Sequence, residues 1–188
     1  MDKISPYHLP SLGIQLPSTI AGLEYKMTHS YYEPELGMSL LYSDGRSTWA
    51  DVYEYDKGIT LLRDGIYSKS VIDEFFEAQD SILMMVENGE YESAFRLAEQ
   101  VIPAEESGMR DDFLHAVYMI RSSSEAKNPF RNTDLMERSS HIFITAFGGQ
   151  FIKIRYTYPE DKDDEIGPLL LKFVSEIFIH IYSKAEGI

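Results

Sequence analysis

The chain contains no cysteine, which excludes disulfides, thiol catalysis and any thiolate metal site. It is also short of positive charge, with 17 lysines and arginines against 31 acids and a formal net charge of −14. Such a surface repels nucleic acid and anionic lipid, so neither is an expected partner. It serves solubility, and it draws cations or a basic partner. No H-E-x-x-H motif, phosphate loop or G-x-S-x-G elbow is present, so the common metal, nucleotide and hydrolase signatures are missing. Residues 1–10 hold neither an apolar core nor a small-residue cleavage site and do not read as a secretory signal. The lack of cysteine fits an exported or periplasmic protein whose signal is absent from this chain somewhat better than a cytoplasmic one.

What is present describes a packed globule. Apolar residues make up 44% of the 188 positions and aromatics 13%, with thirteen tyrosines among them. The strongest local signal is in residues 138–159, where two β-branched and aromatic runs flank Gly148-Gly149. Two adjacent glycines supply the positive φ angles of a two-residue hairpin turn. The expected register sets Phe143 opposite Ile154, Thr145 opposite Ile152 and His141 opposite Tyr156. Ile142, Ile144 and Ala146 then face Arg155, Lys153 and Phe151 on the other side.

Residues 1–19 carry Pro6, Pro10 and Pro17, which forbid a regular helix and imply an extended entry segment before a single domain over 20–188. Strands are expected at 23–32, 36–42 and 47–55, separated by short turn signals, as in an antiparallel meander. Residues 69–88 switch to helical spacing, with Ile72, Phe75, Phe76, Ile82, Leu83 and Val86 on one stripe. Ser70 and Asp73 resemble a cap, and Asn88-Gly89 is a stop. Residues 91–101 suit a helix or a strand, 113–121 alternate as a strand, and 122–137 read as a loop. The acidic run 160–165 reads as a loop before a last helix over 166–184, too short and too charged to span a bilayer. Strands, helix, strands, helix make an α+β fold with a mainly antiparallel sheet covered by helices.

Leu16-Pro17, Gly22-Leu23, 32–37 (Tyr-Glu-Pro-Glu-Leu-Gly), Val52-Tyr53 before Lys57-Gly58, and the run from Ile142 to Pro159 form a pattern. It resembles a group of small, often exported bacterial proteins and, less closely, the PsbP-like α/β/α sandwich. The resemblance covers most of 16–183 and its motifs are structural. It implies an antiparallel sheet between helical layers, a strand at 91–101, and a binding or assembly role rather than catalysis.

Candidate sites are few. Lys153 and Arg155 project from one face of the hairpin, with Arg121 expected nearby, and with Tyr53 they form the candidate ligand-binding set. Clustered cations can take an anionic ligand or a partner's acidic group, or pair with strand acids such as Asp51 or Glu54. Tyr53, Tyr55, Tyr156 and Tyr158 offer a possible interaction surface. Asp161, Asp163, Asp164 and Glu165 are hard oxygen donors that could hold calcium, though without the spacing of an EF-hand. His8, His29, His115, His141 and His180 show no helical metal pairing. The reading is a non-enzymatic binding or assembly module for an unknown protein or small-molecule partner, with no cofactor. The alternative is a small hydrolase or metal-dependent enzyme whose site is assembled from separate segments.

Overall fold

The computed structural model describes residues 7–104, 112–122 and 137–185. In chain order the elements are β1 (His8–Leu9), β2 (Ile14–Gln15), β3 (Thr19–Ile20), β4 (Leu23–Ser30), β5 (Met38–Ser43), β6 (Trp49–Tyr55), α1 (Lys69–Glu87), β7 (Tyr91–Ile102), β8 (Phe113–Ser122), β9 (Glu137–Phe147), β10 (Gln150–Pro159) and α2 (Asp163–Ala185). Strands β3 to β10 form one antiparallel sheet in the order β3-β4-β5-β6-β10-β9-β8-β7. The fold is α+β, with a helix on each face of the sheet.

The β9–β10 hairpin has the register its sequence dictates. Phe143 pairs with Ile154, Thr145 with Ile152, His141 with Tyr156, and Ile144 with Lys153. Gly148 and Gly149 both have positive φ, 58° and 78°, the paired left-handed residues of a primed hairpin turn. The meander β4-β5-β6 forms as expected and joins this hairpin through β6 and β10.

Helix α2 covers one face. Phe173, Val174, Ile177, Phe178 and Ile181 are buried there with Tyr42, Val52, Phe143, Ile154 and Tyr156 of the sheet. Each such side chain contributes about 1.5–3 kcal/mol by leaving water, and truncating Phe178 to Ala would cost about 3–5 kcal/mol. Helix α1 covers the other face through Val71, Phe75, Ala78 and Ile82, against Ala116, Tyr118, Ile142 and Ile144. Its main contacts are with β7, β8 and β9, and it reaches β6 at Tyr55; among the described residues β4 and β5 have no comparable helix contact on that face. This asymmetry positions the candidate site.

Three local expectations change, and residues 91–101, open between helix and strand, take the strand that the resemblance implied. The cap of α1 is Ser68, whose Oγ accepts from the Val71 amide at 3.3 Å; Ser70 lies inside the helix and cannot adopt the extended cap conformation. Residues 91–102 are strand, because pairing along β8 overrides helix propensity. The acidic run is a 3-10 turn, Glu160–Lys162, leading into α2, whose first turn holds Asp163, Asp164 and Glu165. Acids stabilise that end of a helix, so α2 begins three residues before the expected start. The entry segment folds back as the small β1–β2 hairpin, burying Leu9, Ile14 and Leu16 in the α2-side core. The expected loop lies, apart from its ends, outside the described residues. Among those described, one helical stretch, Glu160–Ser183, is long and apolar enough to cross a membrane by length and composition, against the sequence expectation. Here its inner side chains are core.

Candidate functional site

Strand register lays two rows of side chains across the β4–β6 half of the α1 face. His29 pairs with Ser39, Ser39 with Tyr53, and Tyr53 with Lys153. One pleat over, Met27 pairs with Leu41, Leu41 with Asp51, and Asp51 with Arg155. Side chains at such positions share a face. The first three members of both rows, with Tyr31, line an open pocket of about 260 Å³. Ser39 is the short member, so its position forms the depression between His29 and Tyr53.

A bulge makes this alignment possible. The β4–β5 register shifts between Tyr25 and Met27, which sends Tyr25 to the α2 core and Met27 and His29 to the pocket. Without it, Tyr25, Met27 and His29 would share one face.

Lys153 and Arg155 close the rows on the side toward α1. The Lys153 Nζ lies 4.5 Å from the Tyr53 ring centroid and 5.1 Å from that of Tyr55, within cation–π range. Burial holds its amine down to about 8, with Arg155 and Lys57 pushing the same way against Glu74 and Asp51. The Arg155 guanidinium donates through Nη2 to Tyr91 Oη at 2.6 Å and through Nε to Ser140 Oγ at 3.2 Å, with Nη1 at 3.5 Å from Met85 Sδ. Although burial opposes its charge, Tyr91, Tyr53 and Asp51 keep it protonated. Beyond it Glu74 of α1 accepts from Tyr55 Oη at 2.6 Å and pairs with Lys57.

The fold thus brings Lys153, Arg155 and Tyr53 onto one face, with Asp51 as the acid opposite Arg155. Arg121 is not with them. It projects from the opposite face of β8 and pairs with Glu92, Nε to Oε2 at 3.0 Å, in solvent. Its parity in β8 matches His115 rather than Ala116, which the α1 core takes. Glu54 is also on the other face, accepting from the Leu12 amide at 2.9 Å and the Ser11 amide at 3.2 Å. Tyr55, Tyr156 and Tyr158 are buried, and Tyr53 is half-buried, so the four tyrosines do not form one exposed surface. Asp161, Asp163, Asp164 and Glu165 are spread over a 3-10 turn and the start of α2. Among the described residues no three His, Cys, Asp or Glu side chains come together as a metal-holding group. Asp163 instead accepts from Tyr158 Oη at 2.5 Å.

The pocket contains a serine, a histidine and an aspartate, but Ser39 faces His29 in one row while Asp51 stands in the other, opposite Leu41. His29 and Asp51 are two strands and one pair apart, about 12 Å by strand spacing and rise, so Asp51 does not orient the imidazole as a triad requires.

On the α2 face a separate polar chain joins distant strands, a feature the sequence did not announce. Tyr158 donates its one proton to Asp163, so it accepts from His141 Nε2 at 3.1 Å. His141 Nδ1 is then bare and accepts from His115 Nε2 at 3.0 Å. His115 Nδ1 in turn accepts from Gln100 Nε2 at 3.3 Å. Both imidazoles are neutral Nε2–H tautomers in this order. Burial, with His141 beside it, lowers His115 to about 3. Burial also lowers His141, to about 4, against the pull of Asp163.

No family model matches the chain, and no curated protein matches it. Among solved structures it is similar to the solution structure of cyanobacterial PsbP (CyanoP) from Synechocystis sp. PCC 6803. The identity is 9% and the TM-score 0.44, over 83% of this chain and 85% of that one.

Proposed function

We propose that this protein is a non-enzymatic binding or assembly module of the bacterial cell envelope, and that its ligand or partner enters the pocket on the β4–β6 half of the α1 face. The pocket itself carries the reading. It is open, of about 260 Å³, lined by aromatic rings, hydroxyls and one carboxylate, and bordered by two partly buried cations. Pockets with a few placed polar groups among apolar and aromatic walls are the usual form of a small-ligand site. The test is Ser39→Trp, which fills the depression. Ligands found by thermal shift on the native chain should lose their effect in this variant, while its circular dichroism stays native. A ligand that binds both forms equally refutes the pocket as the site.

A second reading, a small hydrolase, draws on His29 facing Ser39 across β4 and β5 in the same pocket. Turnover of a chromogenic ester by the native chain and not by Ser39→Ala would favour it. The geometry gives it less, because Asp51 is a strand too far away to support the histidine.

A further inference from the structure

Strand β7 forms one margin of the sheet, and among the described residues no strand pairs with its outer side. A free edge presents a row of N–H and C=O groups that templates another strand, and proteins blunt it with short strands, proline or lysine. β7 is twelve residues long and holds neither proline nor lysine. It also exposes large apolar side chains: Phe95 is 64% exposed, Leu97 57% and Val101 47%. Helix α1 adds to this margin. Its Gln79 accepts from Arg96 of β7, and the exposed Ile72, Phe76 and Leu83 lie within about 60° of Gln79 around the helix.

An ordinary strand does not fit β7 along its whole length. The pairing with β8 skips Leu97, setting Arg96 opposite Tyr118 and Ala98 opposite Val117. Ala94, Arg96, Glu99 and Val101 therefore share the α1 face, while Phe95, Ala98 and Gln100 share the other. A strand that alternates without interruption matches these faces on one side of the bulge only. A second β7 running antiparallel changes face at the same place. With a two-fold axis between residues 97 and 98, Arg96 meets Glu99, Phe95 meets Gln100, Ala94 meets Val101 and Ser93 meets Ile102, each pair on a common face. Opposite charges then stand across from each other. Arg96 and Glu99 pair within their own chain at 2.6 Å, both partly in solvent, so two joined edges make a ring of four charges alternating in sign. The same axis brings the apolar stripes of both α1 helices to one side of the joint.

We infer that β7 is a homodimer interface, pairing antiparallel with β7 of a second copy of this chain into one continuous sheet. At the opposite margin β3 is two residues long, so no comparable edge remains to continue the assembly, and the isologous joint closes it at two. The inference is independent of the pocket, which lies on the β4–β6 half.

The test is sedimentation equilibrium of the full chain over about 1–100 µM, a range that spans micromolar dissociation constants. The expected mass is twice 21.6 kDa. Leu97→Lys, at an exposed position, should keep native circular dichroism and weaken the dimer by at least about tenfold. Arg96→Glu and Glu99→Arg should each weaken self-association. Their equimolar mixture should restore it as a heterodimer, because opposite signs again face each other across the joint. The register is read with Ala94→Cys/Val101→Cys in this cysteine-free chain: mild oxidation should cross-link two chains, and neither single variant should do so. A monomer throughout the concentration range overturns the inference and leaves the edge to a strand of another protein. A dimer that Leu97→Lys leaves intact, or that does not cross-link at this pair, is joined differently and overturns it equally.

Discussion

His115 Nε2 and His141 Nδ1 lie 3.0 Å apart, each on a different strand, and one proton serves the contact. A second proton there would set two N–H groups against each other. Around the pair are the Gln100 amide on β7, the Phe143 ring stacked on His115 at 4.3 Å, the Tyr158 hydroxyl and, past it, the Asp163 carboxylate. The carboxylate is the only one of these that favours protonation, and Tyr158 stands between it and His141.

The first prediction follows for acid stability. Both imidazoles titrate in the folded state below the ordinary value of 6.5, at about 3 and about 4. Between those values and 6.5 the unfolded chain binds protons that the folded chain does not. Stability is therefore full above the unfolded value and falls as pH drops below it, by up to about 1.4 kcal/mol per unit for each histidine. Urea midpoints measured from neutral pH down to about pH 4 should fall, and more steeply in the native chain than in a His115→Phe/His141→Phe double variant. Equal slopes would mean that carboxylates alone cause the acid loss.

Lys153 gives the second. Its amine is held at about 8, below the ordinary 10.5, so below pH 8 the folded state carries a charge that burial disfavours. Stability contributed by this group is smallest at neutral pH and rises with pH between those two values. Lys153→Met keeps the stem and removes the charge, and should stabilise the protein at pH 7 by about 1–3 kcal/mol, raising Tm by several degrees. The gain should shrink as pH rises from about 8, where the folded amine loses its charge, and vanish above 10.5, where the unfolded amine is neutral as well. A lowered Tm at pH 7 would show instead that the contacts with Tyr53 and Tyr55 outweigh the desolvation.

Tyr55 gives the third. Its hydroxyl donates to the buried Glu74 carboxylate at 2.6 Å, and burial followed by that carboxylate pushes the phenol well above its usual range. Tyr55→Phe leaves Glu74 one donor short in a dry setting and should cost about 1–3 kcal/mol. A parallel Tyr55→Phe/Glu74→Gln variant should recover part of the loss in urea denaturation. No recovery would place the cost in packing against Phe151, whose ring lies 5.2 Å away.

These residues also mark how far the sequence could be read. The β9–β10 register was legible because each alternate position agrees with its neighbours and two glycines fix the turn. The same alternation brought Lys153 and Arg155 to one face. The pocket was not legible, for two physical reasons. Its rows depend on the β4–β5 and β5–β6 registers, and the residues linking these strands admit several turn lengths. A single-residue bulge then reverses which of Tyr25 and Met27 faces the core, and no residue type signals it. Arg121 was misplaced for a related reason: its position relative to β9 depends on a long-range pairing of β8 that local pattern does not encode. The histidine chain joins β7, β8, β9, β10 and α2, so no local spacing could reveal it.

The last prediction concerns how the pocket is held open. Gly37 has φ +61° and ψ −127°, a region that disfavours any residue with a Cβ. A Cβ built there would lie 1.9 Å from the carbonyl oxygen of Glu54, inside β6. The close approach has a purpose in the local geometry, since the Gly37 carbonyl accepts from the Tyr31 amide at 3.1 Å. It thereby fixes the ring that forms one pocket wall, two residues before Ser39 in the floor. Gly37→Ala must push β5 away from β6 or rotate its backbone, and should cost about 3 kcal/mol or more. Because the displaced backbone carries both Tyr31 and Ser39, any pocket ligand should weaken further than the loss of folded protein explains, when binding is measured on the remaining folded fraction. Gly167→Ala, which meets nothing within 4 Å and lies in α2, is the control and should leave both stability and binding near native. A Gly37→Ala protein with native stability would mean that β5 and β6 separate without strain, and the clamp between Gly37 and Tyr31 would then have no part in shaping the site.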